Sequence, residues 1–323
     1  MNALYAPEVP HPPFLDTSQA GDADMTWTSP HPVDVATTVA RLGRGPGDPT
    51  HRVGRGGDIW RTARTAEGTA TLHLQQLSRE TVACQAWGAG ATAVLAGVPD
   101  LLGARDDHTQ FDPRIPALAE AHRTNGGLRI PRTGYVLDCL IGAVIEQRVI
   151  TLDAHAAWRR LLLCRGDEPP GPAPSGMRIP LSPAQWLAIP SWEWHRSGVD
   201  ATRARTALAC AHVAGRVEET TGMTPSAARA RLMAIPGVGP WTAAEVAQRA
   251  LGDADAVSVG DYHLAATIGY AFVGEAVDDA RMLEILEPWR PFRYRVIRLL
   301  ETAGRLRRPS FGPRAPRDRS YLL

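Results

Sequence analysis

Residues 232–241 read LMAIPGVGPW, and this decapeptide restricts the fold more than any other stretch of the chain. An amphipathic helix ends at Ile235, PGVG reverses the chain, and Pro240 sits where a second helix can open. Gly237 and Gly239 permit a tight turn and leave no side chain in front of the backbone amides. Those amides and the N-terminus of the helix from Pro240 make a positive pole that suits a phosphate oxygen. A PGxG turn alone is also what an ordinary helix C-cap and loop would use, so the segments around it decide its meaning.

Strand-like runs come first. DIWRTARTA, ATLHLQQL and TVACQAWG, from about residue 50 to 90, are separated by the turn signals EGT and SRE, and Thr71, Leu72, His73 and Leu74 alternate. A small antiparallel sheet followed by a helix near 89–103 is expected. Before it, residues 1–33 are rich in Pro and short polar residues, and 1–45 as a whole reads as a mobile or loosely draped arm, with a domain boundary near 45. After residue 111 helical periodicity takes over. Val136, Leu137, Leu140, Ile141, Val144 and Ile145 make one apolar stripe, the pattern breaks at EQRVI, and Thr151 is placed to cap a second helix. DEPPGPAPSG at 167–176 reads as a linker or loop. Further helices are expected near 182–189, 199–220, 225–234, 240–251, 261–273, 278–287 and 292–305. The predicted fold class is mainly α: two helical subdomains and a hairpin of helices at about 225–251, fronted by a small α/β sheet domain at 46–110.

All 35 basic residues are arginine; the chain has no lysine. That excludes a GK[ST] phosphate loop, a pyridoxal Schiff base and any lysine nucleophile. Cysteines 84, 139, 164 and 210 form no CxxC pair, which argues against a zinc ribbon or a cysteine-ligated iron–sulfur cluster and fits reduced thiols in the cytoplasm. No run of eighteen apolar residues and no secretory signal is visible. The net charge of +1 hides an asymmetry: residues 1–50 carry two Arg against six Asp/Glu, and residues 281–323 eleven Arg against four. A basic C-terminal face fits phosphate contacts, and equally a solvated tail.

After the hairpin, AVSVGDYHLA places Asp261 at a new helix start, 22 residues beyond Gly239. A PGVG hairpin with an acidic residue at that spacing resembles the helix-hairpin-helix DNA glycosylases. The chain is most similar to their alkylation-repair branch, the 3-methyladenine DNA glycosylase II type. GYVLDCLIGAVIEQRVI matches the helix and loop that penetrate DNA, PGVGPWTA the hairpin, and LEPWRPFRYRV the basic C-terminal helix.

The resemblance implies base excision from double-stranded DNA by nucleotide flipping. It gives Asp261 the role of stabilising positive charge at the sugar C1′, compatible with plain capping of its helix. The loop Gln147–Arg148 is implied as the wedge that fills the gap, although relatives often place an apolar residue there; Arg148 as a phosphate contact is the other reading. Phosphate binding falls to Gly237, Val238, Gly239 and Thr242. Trp241 either walls the base pocket or packs in the core. An aromatic residue is implied at position 245, where this chain has Glu245, which either reads a base edge or is a solvated charge. A monovalent cation, Na+ or K+, is implied at the backbone carbonyls of Met233, Ile235 and Val238, with no other cofactor. A monomer associated with the nucleoid is expected. With one convincing carboxylate and no acid beside it, the site suits cationic alkylated purines such as 3-methyladenine and 7-methylguanine. A neutral lesion such as hypoxanthine stays open if Glu245 is protonated, and so does a non-catalytic DNA-binding protein.

Overall fold

The structure, a computed structural model, describes residues 21–306. Strands β1 (Ala23–Thr28), β2 (His51–Val53), β3 (Ile59–Arg64), β4 (Thr69–Gln76) and β5 (Thr81–Trp87) form one antiparallel sheet in the order β1-β5-β4-β3-β2. The alternation read in β4 holds. Ala70, Leu72 and Leu74 face a core with Ile59, Ala63, Val82, Cys84 and Ala86. That core also takes in α1 (Val35–Val39), α2 (Ala91–Ala96) and α3 (Val98–Leu101).

Residues 21–45 are not an arm. β1 pairs with β5 from Ala23↔Ala86 to Thr28↔Thr81, and Arg44 inserts into the helical body. The boundary expected near 45 therefore cuts through a packed unit; residues 1–20 of that arm lie outside the described residues. The 167–176 segment is a strap rather than a free linker. Thr71 Oγ1 donates to the Pro170 carbonyl at 2.6 Å, and Gly171 lies so close to Trp87 that a Cβ would approach to 2.3 Å. This cover explains why Thr71, on the face opposite the core, is buried; His73 on the same face is buried under the Trp60 ring, stacked at 4.1 Å.

The helical part begins with α4 (Pro116–Thr124), which the sequence did not reveal, and α5 (Val136–Glu146). Of the eleven residues of α5 nine are buried, and Asp138 and Glu146 are half-buried. Gly142 gives room to the Arg44 guanidinium, which lies 4.8 Å over the Trp158 ring and 3.3 Å from Glu146. α6 (Thr151–Arg165) starts one residue earlier than expected; Ile150 is its cap position and Thr151 makes no capping bond. Then come α7 (Pro183–Leu187), α8 (Ser191–Arg196), α9 (Ala201–His212), α10 (Ala214–Glu218), α11 (Pro225–Met233) and α12 (Pro240–Val246), which runs into a π-turn at Ala247–Leu251. Glu218 of α10 caps α5 from outside, its carboxylate accepting the amides of Val136 and Leu137 at 3.1 and 2.8 Å. A second helical cluster unites α4 with α13 (Leu264–Phe272), α14 (Asp279–Leu286) and α15 (Arg293–Thr302) around Leu118, Ile268, Met282, Leu286 and Leu299.

The described part of the basic C-terminal segment is divided: Arg281, Arg290 and Arg305 are exposed, and the other three arginines are internal. Arg293, Arg295 and Arg298 are buried and paired with Asp255, Asp106 and Glu301. A count of charges cannot distinguish internal ion pairs from a surface field. Arg307, Arg308, Arg314, Arg317 and Arg319 lie outside the described residues.

Candidate active site

The two hairpin glycines are needed for different reasons. Gly237 adopts φ +88°, and a Cβ there would lie 2.2 Å from Thr206 Oγ1 on α9. Gly239 has φ −101°, and a Cβ on it would meet nothing within 4 Å. Neither strain nor packing demands glycine at 239, so the space before its amide is open to an incoming group. The Val238 amide donates to the Ile235 carbonyl at 3.0 Å and closes the turn, which removes it from the expected phosphate donors. The amides of Gly239, Trp241 and Thr242 have no acceptor inside α12, as helix geometry requires of a first turn. They are the donors left for an outside acceptor. The Thr242 side chain is buried and committed elsewhere.

Its partner is Gln147, at the end of α5. Gln147 Nε2 donates to Thr242 Oγ1 at 2.8 Å and to the Gly237 carbonyl at 3.0 Å. Gln147 is thus a tie between the α5–α6 loop and the hairpin, not part of a free wedge. Arg203, buried on α9, caps the end of α5 through the Ile145 carbonyl at 2.7 Å. Next to this anchored residue Arg148 is exposed, with a left-handed backbone at φ +55° that an arginine adopts at a cost of about 1 kcal/mol.

Asp261 is bonded on both oxygens. Oδ1 accepts the amides of His263 and Leu264 at 2.8 and 2.9 Å and so caps α13, which begins at Leu264 rather than at Asp261. Oδ2 accepts the Trp241 indole N–H at 3.2 Å. Trp241 therefore fixes the carboxylate relative to the N-terminal end of α12.

Glu245, one turn further along α12, is neither solvated nor a protonated donor. It is buried, accepts the Ser258 hydroxyl at 2.5 Å and pairs with Arg249 at 2.5 Å. Burial alone would raise its pKa, but Arg249, Arg41 and the Ser258 bond outweigh that and hold it down at about 2. Gln248, the next residue on the same face, donates to Ser258 Oγ and to the Ala256 carbonyl, each at 2.9 Å. Ser258, Gln248, Arg249 and Thr206 were not singled out from the sequence. The spacing of Trp241, Glu245 and Gln248 on one helical face was the available signal. Among the described residues no cluster of His, Cys, Asp and Glu could hold a metal ion, and no helix is long and apolar enough to cross a membrane.

No family model matches the chain. Over 171 residues, 52% of its length, it is 30% identical to the "Probable bifunctional transcriptional activator/DNA repair enzyme AlkA" of two Mycobacterium tuberculosis strains, and it spans only about a third (33%) of those proteins. Among solved structures, the 3-methyladenine DNA-glycosylase from Archaeoglobus fulgidus aligns with a TM-score of 0.71 at 18% identity, over 85% of this chain and 96% of that one. The 8-oxoguanine glycosylase/lyase of Clostridium acetobutylicum, in complex with double-stranded DNA, aligns at 0.67 and 12% identity, over 87% of this chain and 97% of that one.

Proposed function

We propose, for a chain that has the fold of the helix-hairpin-helix DNA glycosylases, a DNA base-excision glycosylase that hydrolyses the N-glycosidic bond of alkylated purines. The observation that carries the reading is the bond from Trp241 to Asp261: it couples a phosphate-facing hairpin to a carboxylate in one rigid unit. The amides at the start of α12 take a backbone phosphate, which sets the register of the duplex. The damaged nucleotide is extruded, and Arg148, beside the anchored Gln147, occupies the gap. As the bond to the sugar breaks, positive charge grows at C1′; Asp261 stabilises it and orients the water that completes hydrolysis. A monovalent cation at the hairpin would be held by the carbonyls of Met233, Ile235 and Val238, hard oxygen donors that suit such an ion.

The state of Glu245 supports the choice of substrate. A neutral base such as hypoxanthine leaves more readily when a donor protonates it. Glu245, the acid best placed for that role by sequence, is ionised and committed to Arg249 and Ser258. A purine alkylated at N3 or N7 is already cationic and departs without a proton. Strand cleavage after excision requires an amine that forms a Schiff base, and a lysine-free chain offers only its terminal amino group. The reaction therefore ends at an abasic site, and borohydride should trap no protein–DNA adduct. The test is chromatography of bases released from duplexes carrying single defined lesions. Release of 3-methyladenine or 7-methylguanine faster than hypoxanthine is expected; hypoxanthine alone would refute the substrate assignment, and no released base would leave a DNA-binding protein.

A further inference from the structure

The loop that carries Asp261 has little regular backbone bonding of its own. Between the π-turn and α13 it is held by short turn bonds such as Val259 N to the Val257 carbonyl at 2.9 Å and Asp261 N to the Ser258 carbonyl at 3.2 Å. Such a segment takes its shape from side chains that reach into it. Asp253 and Asp255 at its start pair with Arg229 and Arg293, the Gly260 amide donates to Asp279 on α14 at 3.0 Å, and Ser258 is gripped from one face of α12 and its continuation. Gln248 Nε2 can only donate, and it donates to Ser258 Oγ, so the Ser258 hydroxyl must use its proton elsewhere. It gives that proton to Glu245. The Ala256 carbonyl fixes the orientation of the Gln248 amide, since a flipped amide would set oxygen against oxygen. Glu245 is in turn immobilised by Arg249, whose Nε donates to the Arg41 carbonyl at 2.9 Å. The result is a directed chain, Gln248 to Ser258 to Glu245, ending on a clamped carboxylate, with Ser258 only three residues before Asp261.

We infer that Glu245 and Gln248, acting through Ser258, are positioning residues that hold the Asp261 loop against α12, with Glu245 in place of the aromatic residue the family resemblance implies there. The inference rests on the glycosylase reading for its catalytic consequence, but the loop geometry can be measured without it. Ser258→Ala removes the shared hydroxyl while leaving the Glu245–Arg249 pair intact, and Ser258→Thr restores a hydroxyl. Glu245→Gln keeps an acceptor oxygen and removes the charge; should it fail to fold, the Ser258 pair carries the test.

Two readouts are required. Amide hydrogen exchange of the DNA-free protein should show Val259 and Asp261, whose amides bond within the loop, exchanging on the order of tenfold faster in Ser258→Ala. Single-turnover base release should fall on the order of tenfold in the same variant, with affinity for an abasic duplex within about twofold of wild type, because a misaimed group costs rate more than binding. Ser258→Thr should recover most of both. Unchanged exchange in Ser258→Ala overturns the inference, and so does faster exchange with undiminished excision or an equal loss of rate and DNA affinity. If wild type releases no base, the glycosylase reading fails separately, and the exchange result still decides whether Ser258 holds the loop.

Discussion

At Gly237 an alanine would combine a left-handed backbone with a methyl group 2.2 Å from Thr206 Oγ1, whereas at Gly239 it would meet open space. Gly237→Ala should cost about 2 kcal/mol or more of stability. Gly239→Ala should cost at most about 1 kcal/mol, from cap preference alone, yet weaken binding to an abasic duplex. Thermal melts and fluorescence anisotropy check the pair; similar losses of stability would contradict the different roles. Asp138 makes a second residue-level test. Burial and the charge of Glu218 lift its carboxyl to about 7, against 3.8 in an unexposed-to-fold reference chain. A folded pKa above the unfolded one gives stability that is full below 3.8 and lost as pH rises through about 7. Asp138→Asn mimics the neutral form, so its melting temperature should exceed wild type by more at pH 8 than at pH 5, and an equal or reversed difference would refute the assignment. Both glycines and Asp261 were legible in the sequence because a turn and a cap are local. The partners Gln147–Thr242 and Ser258–Glu245 were not, because side-chain bonds across 95 and 13 positions leave no periodic trace.

Among the elements, the α5–α6 loop shows how an anchor and a probe can be adjacent. Gln147 ties the loop to the hairpin, and Arg148 is exposed in a conformation held by its surroundings. If Arg148 fills the gap left by a flipped nucleotide, its truncation should matter most where unpairing is hardest. Arg148→Ala should lower single-turnover excision on the order of tenfold for a well-paired lesion and only about twofold for a mismatched one. Equal losses on both would make Arg148 a plain phosphate contact. Elements with strong alternation or helical stripes, β3 to β5 and α5, were readable in advance. β1 was passed over although it alternates: in ADMTWT the inward Ala23, Met25 and Trp27 alternate with Asp24 and threonines, but the run is short and follows a Pro-rich stretch, and it pairs along the edge of β5. The C-terminal arginines misled for the opposite reason. Arg293, Arg295 and Arg298 have the composition of a nucleic-acid face and the environment of a core.

In the molecule as a whole, the described residues form three apolar clusters: one beneath the sheet, one around α5 and one around α13 to α15. The hairpin belongs to the second cluster, through Val238 and Ala243, and α13 behind Asp261 to the third, through Ala265 and Ile268. Asp261 thus stands where the two helical clusters meet, with Trp241 spanning them. Mainly helical architecture and the place of the hairpin follow from periodicity and turn chemistry; how the clusters face one another follows only from packing. The central claim is that the Asp261 carboxylate stabilises the sugar cation while the hairpin binds DNA independently. Asp261→Asn keeps one oxygen for the amides of His263 and Leu264, and loses the charge together with the acceptor of the Trp241 indole N–H. Measured side by side on a duplex carrying 3-methyladenine or 7-methylguanine, this variant should release base at least on the order of a hundredfold more slowly than wild type, with affinity for the same duplex within about threefold. Undiminished release by the purified variant would contradict the account.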